Sequence, residues 1–397
     1  MKVTVERASL LKSLGHVHRV VERRNTIPIL ANVLVRAEGS KLSFKATDLD
    51  LEITETIAAE VSPGGSTTVP AHMFYEIVRK LPEGTQVVIE GSGDRAVLAL
   101  RAGRSRFTLQ TLPESDFPDL AAGEMTHSFK LGAADLKRLI DKTQFAISTE
   151  ETRYYLNGIY LHAAGTGKAQ VLRAVATDGH RLALVVAPRD RTTAENGAGA
   201  SSKRDRETAA PGGSQAAEEV RAILPKKTLG ELGRLLAEGD GDIRYERGEN
   251  HLFFDVGGRT LISRMIDGQF PAYERVIPKG NDKHIEFERD RLTNAVKRVA
   301  LLSNERSRAV KFQIDNGRVD VTSSSPELGE AHETLSVDYS GGAMQICFNA
   351  QYVLDFLAAV ATDVVSLELK DEVSQAVMKP VGAEGYDYTY VIMPMRV

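Results

Sequence analysis

Ala176-Thr177-Asp178-Gly179-His180-Arg181-Leu182-Ala183 opens with a triplet that also stands at Ala46-Thr47-Asp48, 130 positions earlier. Each triplet follows a strand-like run, such as Leu42, Phe44 and Ala46, in which alternate residues are apolar. The same order of elements surrounds both triplets, and most of it occurs a third time. A short strand leads into a helix at Val3-Thr4-Val5 and residues 8–21, at Ser128-Phe129-Lys130-Leu131 and residues 133–145, and at Ile285-Glu286-Phe287 and residues 290–302. Apolar residues recur at helical spacing in each: Leu10, Leu14 and Val17; Leu136, Leu139 and Ile140; Leu292, Val296 and Val299. A second helix then begins at a proline or asparagine, over residues 70–81, 225–236 and 349–360. Last comes a strand ending in a turn: Leu112-Pro113 with Phe117-Pro118, Met265 with Phe270-Pro271, and Ile392-Met393-Pro394.

Three copies of this order predict an α+β protein of three similar domains, over residues 1–126, 127–282 and 283–397, each with two helices packed on antiparallel sheet. The Phe-Pro pairs lie 153 apart, 23 more than the triplets, so the second copy holds an insertion. Residues 189–220 fill that place. They are rich in Ala, Gly, Ser, Thr and charge, and too poor in apolar surface to offset their ordering entropy, so a disordered loop is expected.

At 397 residues, 42% hydrophobic and 26% charged, the chain is long enough for several globular cores. Its one cysteine, Cys347, excludes an intramolecular disulfide and reads as a small core residue. No apolar run near Met1 suits a signal peptide, and no window reaches the ~18 apolar residues of a membrane span. A cytoplasmic protein is expected. The net charge of -4 argues against a generally basic nucleic-acid binder, but its distribution matters more. Residues 7–24 carry +4, residues 135–142 carry +1 and residues 290–308 carry +3, leaving -12 elsewhere. On one helix such charge is usually a solvated face. On the first helix of three repeats it predicts a shared positive surface, with Lys12, Arg138 and Arg298 among its members, that attracts phosphate without reading bases.

Asp178 with His180 could be an acid–base pair, but an Asx-type turn at Asp-Gly explains both residues more simply. No nucleophile motif or metal spacing accompanies them. Gly165-Thr166-Gly167-Lys168 lacks the earlier glycine of a phosphate loop. The sequence therefore predicts a protein that is not an enzyme and needs no cofactor or metal. Met393 and Met395, taken alone, suit core or edge-strand packing.

Longer motifs carry a resemblance. Arg153-Tyr154-Tyr155-Leu156-Asn157-Gly158, the 176–183 stretch and Tyr390-Val391-Ile392-Met393-Pro394-Met395-Arg396 closely resemble bacterial DNA sliding clamps, the beta subunits of DNA polymerase III. So do Pro28-Ile29-Leu30, Gly103-Arg104-Ser105-Arg106-Phe107 and Leu302-Ser303-Asn304-Glu305, and the likeness covers almost the whole chain. It implies the DNA-clamp fold and a head-to-tail homodimer of six domains. That ring encircles double-stranded DNA and slides on it without sequence specificity, with the first helices lining the hole. It further implies a separate clamp-loader ATPase, and replicative and translesion polymerases and repair proteins as partners. These partners insert a short motif of glutamine and apolar residues between the second and third domains.

The positions matching that pocket are Leu156, Thr177, Gly179, His180, Arg181 and Leu182, then Pro271, Arg275 and Val276. The terminus supplies Val391, Ile392, Met393, Pro394, Met395 and Arg396, and Asn349, Tyr352 and Val373 should flank the site. For DNA contact the resemblance points to Arg24 and to Tyr154 with Tyr155, although Glu150 departs from a DNA-facing loop. The subunit interface should set Arg104, Arg106, Phe107 and Leu109 against Leu301, Leu302, Glu327, Glu330 and Glu333. Gly329 and His332 stand where relatives are often acidic, which weakens the charge complement. The alternatives are a monomeric peptide-binding scaffold and an enzyme using Asp178 and His180.

Overall fold

A computed structural model describes residues 1–23, 26–92, 96–120, 123–165, 171–188, 220–239 and 241–396. Arg24 and all of the expected insertion except Val220 lie outside the described residues. The described chain forms two compact units, one of residues 1–137 and 227–265, the other of residues 138–188, 220–226 and 266–396.

Six α-helices occur among the described residues: α1 (Arg7–Val17), α2 (Ala71–Lys80), α3 (Ala133–Asp141), α4 (Lys226–Glu238), α5 (Arg289–Val299) and α6 (Ala350–Ala359). They are the three predicted pairs. The first member of each pair ends sooner than its apolar pattern suggested. After α3 and α5 the pattern continues in 3-10 turns, Gln144–Ala146 and Ala300–Leu302.

Sheet order shows the repeat directly. In the first unit, strands run Leu51–Ala58, Lys41–Thr47, Asn32–Glu38, Gly65–Pro70. In the second, Arg181–Pro188, Val171–Thr177, Gly158–Ala164, Ala222–Pro225 follow the same order, as do Gly329–Ser336, Arg318–Ser325, Ala309–Asp315, Met344–Asn349. Each repeat also has a second row. These rows are Lys2–Glu6 through Gln86–Ser92 and Val97–Ala102 to Ser105–Gln110; Met125–Gly132 through Asp242–Gly248 and His251–Val256 to Arg259–Arg264; and Lys283–Glu288 through Val364–Leu369 and Ala376–Pro380 to Asp387–Ile392.

A repeat thus owns two rows of strands rather than one sheet, and the rows run on across repeats. Arg259–Arg264 of the second repeat pairs with Leu51–Ala58 of the first, Thr260 facing Thr54. Asp387–Ile392 of the third pairs with Arg181–Pro188 of the second, Ile392 facing Arg181. Each join makes an eight-stranded sheet. The corresponding strands Ser105–Gln110 and Gly329–Ser336 are sheet edges, each with one strand neighbour among the described residues.

Burial follows the pleat. Leu42, Phe44 and Ala46 are fully buried while Lys41 faces solvent. The two Ala-Thr-Asp triplets build the same turn. Asp48 Oδ1 accepts from the backbone N–H groups of Asp50 and Leu51, and Asp178 Oδ1 from those of His180 and Arg181. The residue after the aspartate is left-handed in both, Leu49 at φ 79° and Gly179 at φ 89°.

Candidate functional site

A cavity of about 150 Å³ in the second unit is lined by Leu156, Thr177, Gly179, His180, Arg181, Leu182, Pro271, Tyr273, Val276, Val391 and Met393. Ten of these come from the sequence-predicted set. Its floor rests on a buried cluster that includes Leu156, Val175, Leu182, Phe270, Tyr273, Val377 and Val391. Leu182 and Val391 are register partners on paired strands, which is why two residues so distant in sequence share one wall.

The turn at its mouth is rigidly tied. Thr177 Oγ1 accepts from Gly179 N–H over 3.1 Å and donates to the Arg181 carbonyl over 2.7 Å. A Cβ at residue 179 would stand 2.8 Å from Arg153 Nη1 and the backbone is left-handed there, so glycine is favoured, although Leu49 adopts the same conformation in the equivalent turn. The buried Arg181 guanidinium bonds Asp178 over 3.1 Å, pairs with Asp355, and donates to the Phe145 carbonyl over 2.7 Å. It also lies 4.3 Å from the Tyr352 ring centre. Burial alone would lower its pKa, but Tyr390, Asp355 and Asp178 hold it above the ordinary arginine value. Arg181 therefore braces the cavity from within.

The Asp178 carboxylate is spent on this turn, and its bond to residue 180 is to the backbone N–H, while the His180 ring stacks near Tyr352 at 6.5 Å. The acid–base alternative has no paired side chains to work with.

Tyr273 was not singled out in the sequence. Its hydroxyl lies 2.9 Å from His162 Nε2 and accepts from Arg173 Nη1 over 3.1 Å. Burial pushes its pKa up to about 12 and pushes that of His162 down. The signal available was an aromatic two residues past Phe270-Pro271, which has no distinctive spacing.

Eight expected residues do not line the cavity. Ile392 is fully buried on the other side of its strand, because neighbouring side chains alternate faces. Arg275 is exposed on the turn Tyr273–Arg275. Asn349 caps α6, accepting from the N–H groups of Gln351 and Tyr352, and Tyr352 sits under Arg181. Met395 is half-buried and donates its N–H to the Cys347 carbonyl over 2.8 Å. Pro394 is half-buried beside it, and Arg396 and Val373 face solvent.

All three described basic DNA candidates have partners in their own chain. Lys12 reaches Glu238 over 3.2 Å, Arg138 lies 5.2 Å from the Tyr386 ring centre, and Arg298 grips Glu333 with two nitrogens. Tyr154 is exposed, whereas Tyr155 packs against the cavity's cluster, and Glu150 pairs with Arg153.

The interface candidates lie on or just before the two edge strands and on the turn Ala300–Leu302. Arg104 is exposed just before Ser105–Gln110, and along that strand Arg106 and Phe107 are exposed and Leu109 is half-buried. Glu327 and Glu330 are exposed at and before Gly329–Ser336, with Glu333 held by Arg298. Leu301 is 75% exposed and Leu302 half-buried. His332 lies 3.5 Å from Asp320. Among the described residues no helix is long and apolar enough to cross a membrane, and no group of His, Cys, Asp and Glu could hold a metal.

The family profiles of the DNA polymerase III beta subunit match in order: its N-terminal domain at residues 1–121, its central domain at 130–198 and 208–272, and its C-terminal domain at 274–396. The beta sliding clamp of Caulobacter vibrioides is 45% identical over 398 residues, covering all of both chains. That of Escherichia coli K12 is 39% identical over 397 residues, again all of both. The solved sliding clamp of Bartonella birtlesii, bound to griselimycin, superposes with a TM-score of 0.89 at 42% identity over all of both chains. With all three domain profiles matched in order and relatives alike from end to end, the chain belongs to the DNA polymerase III beta subunit family, the non-enzymatic sliding clamps that serve as processivity factors in bacterial DNA replication.

Proposed function

We propose that two copies of this chain close head to tail into a ring around duplex DNA, slide without sequence specificity, and tether DNA polymerases to it. The observation that carries this reading is the pair of open edges. At two places in the chain, the last strand of one repeat's second row pairs with a 51–58 type strand from its neighbour. Ser105–Gln110 and Gly329–Ser336 are the third such pair, and neither has the other as a neighbour. Joining them between copies continues the rule and yields six domains, with boundaries proposed at 126 and 282. Exposed Phe107 and Leu301 would form the apolar centre of the contact, with Arg104 and Arg106 facing Glu327, Glu330 and Glu333.

The cavity would take the glutamine-and-apolar motif of replicative and translesion polymerases, repair proteins and the clamp-loader ATPase. Leu156, Leu182, Pro271, Val276 and Val391 give it an apolar wall, and a methionine at the rim adapts to different sequences. Arg24, Lys12, Arg138 and Arg298, with Tyr154 and Tyr155, remain the proposed DNA contacts, in the cytoplasm and away from any membrane. The test is topological. The protein is loaded by its ATPase on a nicked circle, which is then washed in high salt and cut once. Retention on the circle and loss on linearisation are expected. Dissociation by salt from the intact circle would mean ordinary electrostatic binding and would overturn the ring.

A further inference from the structure

Each repeat carries a basic residue at one equivalent position, six residues after the first buried leucine of its opening helix: His16 after Leu10, Lys142 after Leu136, Arg298 after Leu292. All three are tied down. Arg298 grips Glu333 with two nitrogens. Lys142 is buried and donates to the Ala359 carbonyl over 2.7 Å, with its ammonium 5.6 Å from the Tyr388 ring centre. His16, 9% exposed, lies between two carboxylates, Nδ1 at 2.7 Å from Glu55 Oε2 and Nε2 at 2.9 Å from Glu238 Oε1. Glu55 is the fifth residue of its strand, as Glu333 is of the equivalent strand in the third repeat.

The His16 cluster straddles a joint. His16 and Glu55 belong to the first repeat, while Glu238 on α4 and Arg259 on Arg259–Arg264 belong to the second. Strands Leu51–Ala58 and Arg259–Arg264 are the pair that joins the two repeats. The other groups facing the cluster are polar or charged. Ser13 Oγ donates to Glu55 over 3.1 Å, and Lys12 Nζ is 3.2 Å from Glu238. Arg259 lies 3.5 Å from Glu55 and 3.4 Å from Glu238, and its buried Nη1 has no hydrogen-bond partner.

A carboxylate oxygen only accepts, and a neutral imidazole carries a single N–H. With both nitrogens protonated, the ring donates to both glutamates over these two contacts under 3 Å. We infer that His16 is a pH-operated latch between the first and second repeats, closed as the imidazolium and released when it loses a proton. Release would leave one carboxylate against a ring lone pair, with Arg259 and Lys12 the cations beside it among the described residues. Lysine and arginine hold the equivalent positions in the second and third repeats, as Lys142 and Arg298, so a histidine sits at one of three equivalent places.

The pH window follows from the shifts. Burial is the largest influence on His16 and lowers its pKa, but the hydrogen bonds and charges of Glu55 and Glu238 outweigh it, and the result lies above the ordinary histidine value. A raised folded-state pKa makes the latch fully effective below the unfolded value near 6.5, and its contribution fades as pH climbs through the folded pKa. Glu238 is held down to about 2, chiefly by its hydrogen bond to His16, so its contribution is present above the usual carboxylate range and disappears as pH falls toward 2. The inference stands on the first unit alone and does not depend on ring closure.

The experiment is hydrogen exchange by mass spectrometry on the full chain from pH 6 to 9, corrected for intrinsic exchange, in wild type, His16→Lys and His16→Gln. Strands Leu51–Ala58 and Arg259–Arg264 of the wild type should lose protection as pH rises, by about tenfold for each unit of pKa elevation. Strands Arg181–Pro188 and Asp387–Ile392 serve as the internal control and should not change. His16→Lys should stay protected throughout, and His16→Gln should be weakly protected throughout. An NMR titration of the wild-type ring gives the His16 pKa without any substitution. A wild-type profile parallel to the control strands, or a pKa at or below 6.5, would overturn the latch and leave the retention test on circular DNA untouched.

Discussion

The backbone N–H of Met393 donates to the carbonyl oxygen of His180 over 2.9 Å, tying the end of the chain to the turn at the mouth of the cavity. Two residues earlier Val391 is buried in the floor, while the Met393 side chain is 37% exposed at the rim. The floor is core, and the rim is left for a ligand to cover.

Met393→Ala should therefore separate binding from folding. A peptide with the glutamine-and-apolar motif should bind about five- to thirtyfold more weakly, on the order of 1–2 kcal/mol for the apolar surface that the shorter side chain no longer covers. Stability should stay within about 0.5 kcal/mol, as for other exposed side chains. Fluorescence anisotropy and a denaturant melt read the two effects, and unchanged affinity would remove Met393 from the site.

Arg181→Ala should do the opposite. It strands Asp178 and Asp355, two carboxylates organised around a buried guanidinium. A loss of about 3–5 kcal/mol is expected from breaking a buried pair on one side. Arg181→Lys should fail to restore it, because one ammonium cannot serve Asp178, Asp355 and the Phe145 carbonyl together while stacking on Tyr352. Full rescue by lysine in urea unfolding would show that charge alone matters.

Tyr273→Phe removes the hydroxyl that His162 and Arg173 share. Leaving the buried His162 short of a partner should cost about 1–3 kcal/mol. The double substitution His162→Phe with Tyr273→Phe should cost less than the two singles added together. Strict additivity in a double-mutant cycle would mean that the pair is not coupled.

Leu301→Asp places a charge on a side chain that is exposed in one chain but covered in the proposed ring. Sedimentation should show the dimer weakened by at least about tenfold, with circular dichroism unchanged. A dimer as tight as the wild type would place the interface elsewhere.

The helices were legible because helical spacing is a local property. The residues 70–81 and 349–360 read from the sequence differ from α2 and α6 by one residue at each end. The Asx turn at Asp178 was legible for the same reason, since its donors lie within three residues. Ile392 was misplaced because motif matching carries over a segment, whereas the pleat sends Val391 and Ile392 to opposite faces.

By itself the sequence determined the threefold repeat, the helix pairs and the family, since periodicity and motif order survive without knowledge of what touches what. Only the tertiary structure decided that each repeat owns two rows of strands and lends them to its neighbours. Alternation marks a strand as half-buried but does not name its partner, and Thr260 could have faced any similar strand as well as Thr54. His16 shows the same limit in one residue. No motif or spacing in the sequence singled it out. It becomes a buried cation between carboxylates because folding carries Glu238 across 222 positions of chain to meet it, and that meeting is set by packing over the whole unit rather than by any pattern near His16.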